Sequence, residues 1–138
     1  MAAKENKSIL QRAVENFNHP DRRTAYLELY DASCVLHGYG LSPGIEAIKQ
    51  FYQQFWAAFP DAHLTIEDML AEGDKLACRF IVHVTHQGDF MGIPPTGKSV
   101  TVSGITIFRF ANGKCVERWS QADFLGMMQQ LGAIPKMG

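Results

Sequence analysis

Cysteine is scarce in this chain. Cys34, Cys78 and Cys115 are odd in number, far apart and each set among apolar neighbours. They read as reduced core thiols and exclude a disulfide framework. An excess of either charge is also missing: 13 Lys and Arg against 14 Asp and Glu leave a formal net charge of −1, with no blocks of one sign. That argues against a nucleic-acid or anionic-membrane surface. No apolar run reaches membrane-spanning length, and the opening MAAKENKSILQ has no signal-peptide core. The expectation is a soluble, cytoplasmic protein that meets neither membrane nor nucleic acid. No glycine-rich phosphate loop, serine nucleophile elbow or paired metal-binding cysteines occur. His83 and His86 are three apart, which on a strand turns them to opposite faces, so the expectation is no metal.

What is present fits one domain over residues 1–138, long enough to bury a core. Ile9, Leu10, Ala13, Val14 and Phe17 form a helical stripe over about 6–16. Pro20 and Asp21 open a second helix over about 22–30, and Cys34 to His37 make a short strand. Ser42 and Pro43 start a third helix whose apolar face runs from Ile45 to Trp56. Residues 63–72 and 75–87 then alternate as two strands joined by Gly73-Asp74, and residues 88–98 form a loop. Regular pairing through that turn sets Asp68 opposite Arg79 and Leu64 opposite His83. Both faces of this hairpin are apolar, and a helix layer covers one, so the second is expected to pack on another copy of the chain.

Residues 99–111 and 114–122 form a second hairpin around Asn112-Gly113. Regular alternation points Cys115, Glu117, Trp119, Gln121 and Asp123 one way, with Thr106 opposite Trp119 and Gly104 opposite Gln121. Gly104 then either leaves room for a ligand or marks a bulge. A short helix follows, with Gly132 as its stop. Asp123, where strand becomes helix, is either a general acid/base buried beside Trp119 or a helix cap. His37 either hydrogen-bonds a substrate and orients Asp123 or faces water. His86 is expected at the pocket mouth or against a partner subunit. Glu117 and Arg79 are substrate-binding candidates with ion pairing as the alternative, while Tyr26, Phe55 and Trp56 are either ligand walls or plain core. The architecture is an α+β cone: three helices in the first half, a curved antiparallel sheet and a short closing helix.

The His37-Gly38 pair, the loop Thr85 to Lys98, Ser103-Gly104-Ile105, Gly113-Lys114 leading to Glu117, Trp119 and Asp123, and Gln130-Leu131-Gly132 carry a resemblance. Together they resemble the SnoaL-like polyketide cyclase (ester cyclase) group of the NTF2-like fold. The resemblance implies an intramolecular aldol ring closure on a small hydrophobic carbonyl compound, without metal or organic cofactor, and the second apolar sheet face adds the expectation of a homodimer formed through the sheet. It implies Asp123 as acid/base; the residues themselves add His37 as a catalytic candidate beside it and Trp119, His86, Glu117, Arg79, Tyr26, Phe55, Trp56 and Thr106 as substrate-binding candidates. Two other functions suit such a cone: proton transfer of the ketosteroid-isomerase kind, and plain ligand binding.

Overall fold

Three aromatic helix faces fix where the sheet packs. Helix α1 (Ala2–Phe17) buries Leu10, Ala13 and Phe17, and α3 (Ile45–Ala58) buries Ile48 and Tyr52. Between them, α2 (Arg23–Tyr26) runs into a 3₁₀ turn, Leu27–Leu29, and then β1 (Tyr30–His37). The remaining strands are β2 (His63–Glu72), β3 (Lys75–Thr85), β4 (Ser99–Ala111) and β5 (Lys114–Ala122), closed by α4 (Phe124–Leu131). The computed structural model describes residues 2–135, so the two ends of the expected 1–138 domain lie outside the described residues. Among these residues, no helix is long and apolar enough to cross a membrane.

The sheet order is β1-β5-β4-β3-β2. All neighbours are antiparallel except β1 and β5, which pair in parallel. The expected antiparallel sheet is therefore mixed at one edge. β1 is also longer than the four residues expected, because Tyr30 as well as Cys34 and Leu36 turns into the core. Tyr30 thus leaves the second helix, which is shorter than its start signals suggested. Helix α3 begins at Ile45 behind Gly44 and has no side-chain cap, so Ser42 and Pro43 precede it without starting it.

Both hairpin turns form where expected, with Gly73, Asn112 and Gly113 at positive φ. The registers beyond them are not regular. Ile66 pairs with Phe80 but Asp68 with Arg79, leaving Glu67 as an extra residue in β2. Likewise Phe110 pairs with Cys115 but Arg109 with Glu117, leaving Val116 extra in β5. Each bulge bends its strand and reverses which side chains face the helices beyond it. Leu64 consequently lies opposite Val82, not His83, and joins Phe80 and Val82 on the helix-covered face.

That covered face of β3 and β4 holds Leu76, Cys78, Phe80, Val82, Val84, Val100, Val102, Phe108 and Phe110, all buried. The other face is open: Leu70 is 74% exposed, Ile105 57% and Ile107 40%. Gly104 neither leaves a space nor marks a bulge. It pairs in register with Phe80 and Ala122, and a Cβ there would lie 2.6 Å from the Phe80 ring and 2.8 Å from the Gln121 carbonyl oxygen. The missing side chain is what admits the Phe80 ring.

Candidate active site

The bulge at Val116 decides which face of the Lys114 to Asp123 segment meets the cone interior. Past it, Arg118, Ser120 and Ala122 turn inward, while Glu117, Trp119 and Gln121 turn outward. Arg118 now faces Phe108 in the ladder, Thr106 faces Ser120, and Trp119 faces Ile107. The expected pairing of Thr106 with Trp119 is off by one residue, and a one-residue slip moves a side chain through the sheet.

Arg118 is buried and surrounded by hydroxyls. Its Nη1 donates to Tyr30 Oη at 2.8 Å, to Tyr52 Oη at 3.1 Å and, more weakly, to Tyr26 Oη at 3.5 Å. Its Nε donates to Thr106 Oγ1 at 2.8 Å. The three tyrosine hydroxyls form a triangle, with Tyr26 and Tyr30 only 2.6 Å apart. A second chain runs from Tyr39 Oη to Ser120 Oγ (3.1 Å), which meets Thr106 Oγ1 at 2.7 Å. The guanidinium also lies 4.6 Å over the Phe108 ring and 5.7 Å over Tyr39. Burial pushes the Tyr26 and Tyr30 hydroxyls well above the usual tyrosine range, and that of Tyr39 upward. Burial works against the Arg118 charge and the tyrosine oxygens favour it, and the guanidinium stays protonated, as arginine does in proteins.

Tyr26, Tyr39, Tyr52 and Arg118 of this cluster line a cavity of about 80 Å³ together with Phe17, Phe55, Phe80, Val82 and Met127. A wider vestibule of about 420 Å³ lies outside it. Tyr39, Phe51, Phe90 and Phe124 border both. Of the residues anticipated around a ligand, Tyr26 and Phe55 line the cavity. Thr106 stands behind Arg118 as its hydrogen-bond partner. Trp56 packs edge-on against Phe17 and Tyr26 and is only partly buried.

The others lie elsewhere. His37, Glu117, Trp119 and Arg79 occupy the open face of the sheet. There His37 stacks on Trp119 at 5.3 Å and bonds Glu117 at 2.7 Å, and Glu117 also accepts from Arg109. Those bonds, the His37 one foremost, hold the Glu117 carboxyl below the usual range. Arg79 pairs with Asp68, as the first hairpin suggested. His86 is not at the mouth: it is fully buried, packs on Phe59, and bonds Thr96 through Nδ1.

Asp123 is exposed and caps α4, its Oδ1 accepting from the Gly126 amide at 2.8 Å. The burial expected beside Trp119 is absent, because Trp119 faces the other side of the sheet. Asp123 nevertheless stands between Ala122 and Phe124, both of which line the cavity.

A profile of the SnoaL-like polyketide cyclase family matches residues 8–131. The chain belongs to that family. Among solved structures, AclR from Streptomyces galilaeus, described as a candidate hydroxylase, is 27% identical with a TM-score of 0.87, covering 99% of this chain and 86% of AclR. TsrD from Streptomyces laurentii is 26% identical with a TM-score of 0.81, covering 92% and 97%. IdmH from Streptomyces antibioticus, described as a candidate polyketide cyclase, is 30% identical with a TM-score of 0.77, covering 92% and 98%. No curated protein matches in sequence. The SnoaL-like cone is thus present with its α+β layers, and Arg118, Tyr30, Tyr39, Tyr52 and Ser120 are the interior polar residues that strand alternation alone did not bring together. An arginine in a strand between Glu117 and Trp119 was the available signal, but its face depends on a bulge that no residue type announces.

Proposed function

We propose that this SnoaL-like protein is a cofactor-free cyclase acting on a small, flat, hydrophobic carbonyl compound held in the cone. The observation that supports this reading is that Asp123 is flanked in the chain by Ala122 and Phe124, both of which line the cavity. Its Oδ1 is fixed by the Gly126 amide and its Oδ2 makes no hydrogen bond, so one oxygen is held and the other is available for a proton. In an intramolecular aldol closure Asp123 takes the proton alpha to one carbonyl. The resulting enolate carbon bonds to the second carbonyl carbon, and the alkoxide formed there takes the proton back. The aromatic walls hold the two carbons together, which supplies several kcal/mol of the barrier.

The test is product formation from aromatic poly-β-carbonyl esters, followed by mass spectrometry and ring-specific absorbance, with wild type and Asp123→Asn in parallel. Ring-closed product from wild type alone supports the reading. Equal rates in both remove Asp123 from it, and tight binding without turnover leaves a ligand-binding module. The open sheet face, with Leu70, Ile105 and Ile107 exposed, is the surface through which we propose that two copies pair. Phe80 and Val82 belong to the covered face and take no part.

A further inference from the structure

Arg118 is the charged residue on the cavity wall. Among the described residues no carboxylate lies within ion-pair distance of it. Its sequence neighbour Glu117 is engaged with His37 and Arg109 on the opposite face of the sheet. Burying a cation without an anion is costly, and neutral hydroxyls relieve only part of that cost. The tyrosines here stay neutral, since burial pushes their ionisation upward. The guanidinium is also only half used. Nε and Nη1 hold Thr106 and the tyrosines, whereas Nη2 makes no hydrogen bond. Nor is Nη2 among the sealed, unpartnered atoms of the core, which are Arg23 Nε, Trp56 Nε1 and His86 Nε2.

We propose that Arg118 seats the ionised carboxylate of a flat aromatic ligand at the deep end of the cone, one carboxylate oxygen accepting from Nη2. The inference rests on the cone being the substrate site and adds the charge of what it takes. Three features favour an anion that arrives already ionised. The guanidinium has no counter-ion, and its hydroxyl partners fix the fork so that little freedom is lost on binding. The rest of the cavity is apolar, and Tyr39, Phe51, Phe90 and Phe124 border both it and the wider space, which suits an acid group in the small cavity with its flat ring among those four side chains. The reacting end of such a ligand then lies away from Arg118, toward Phe124, the chain neighbour of Asp123.

The test compares 2-naphthoate with its neutral near-isostere 2-naphthamide by calorimetric titration of the wild-type protein at pH 7.5. The Arg118 Nε–H resonance is followed by ¹⁵N NMR in the same titrations. Naphthoate is expected to bind at least 10-fold more tightly than the amide and to shift the Arg118 resonance. In Arg118→Met the preference should collapse to below about 3-fold. Equal binding of the two compounds, naphthoate binding with the Arg118 resonance unmoved, or failure of both to bind overturns the proposal. The wild-type arms decide the matter even where Arg118→Met does not fold. Binding reports on Arg118 and ring closure reports on Asp123, so the acid-seat assignment and the cyclase reading fail separately.

Discussion

Arg118 Nη1 donates to Tyr30 Oη at 2.8 Å across the parallel edge of the sheet, joining β5 to the first residue of β1. The contact is possible because the bulge at Val116 turns Arg118 inward. Replacing Arg118 by methionine removes a buried charge and keeps its volume. Relief of the burial cost opposes the lost hydrogen bonds, and the hydroxyls left behind still bond one another, so the net change should stay within about 1 kcal/mol. Tyr30→Phe instead leaves Arg118 with one acceptor fewer and should cost about 1–3 kcal/mol. Urea denaturation midpoints check the contrast, and an Arg118→Met protein markedly weaker than Tyr30→Phe would show that the cluster is built for stability.

Asp123→Ala should lose the cap on α4 and about 1 kcal/mol, whereas Asp123→Asn keeps a capping oxygen and should lose a few tenths at most. Chemical denaturation of the pair separates the cap from any chemistry. Activity lost in Asp123→Asn at unchanged stability then belongs to the proton.

Gly104→Ala should destabilise by about 1–3 kcal/mol, since the added methyl meets the Phe80 ring and the Gln121 carbonyl. Adding Phe80→Leu should recover part of the loss, the part due to the ring. A thermal double-mutant cycle measures this coupling, and strict additivity would contradict the packing described.

Alkaline pH should weaken the fold. Burial pushes the Cys78 thiol up to about 11, and the Tyr26 and Tyr30 hydroxyls upward as well. Unfolded cysteine ionises near 8.5 and tyrosine near 10. Above these values the unfolded chain binds fewer protons than the native one, so stability falls as pH rises. The Cys78 contribution is fully present below about pH 8.5 and disappears toward pH 11. Urea midpoints at pH 8, 9.5 and 11 should fall for wild type and fall less for Cys78→Val; parallel curves would count against the thiol.

Ile105→Lys should turn a dimer into a monomer in light-scattering measurements while leaving the melting temperature of the monomer nearly unchanged, because Ile105 is exposed on the open sheet face. A wild-type protein that is already monomeric at micromolar concentration removes the pairing from that face.

The amino-acid sequence determined most of the elements, because each rests on local chemistry: the Phe17 stripe of α1, the Asn112-Gly113 turn, the alternation of β3, and the Gly132 stop of α4. The motifs from His37 to Gly132 were enough to point to the SnoaL-like cone. What tertiary structure alone decided was the facing of the site. Two extra residues, Glu67 and Val116, each reverse the parity of a strand, and nothing in a valine or a glutamate marks a bulge. Trp119 and Glu117 therefore left the interior, and Arg118 entered it to meet Tyr26, Tyr30 and Tyr52, contributed by α2, β1 and α3. Strand period 2 makes side-chain direction an all-or-none consequence of register, and register beyond a bulge is set by packing between distant segments, not by the residues of the strand itself.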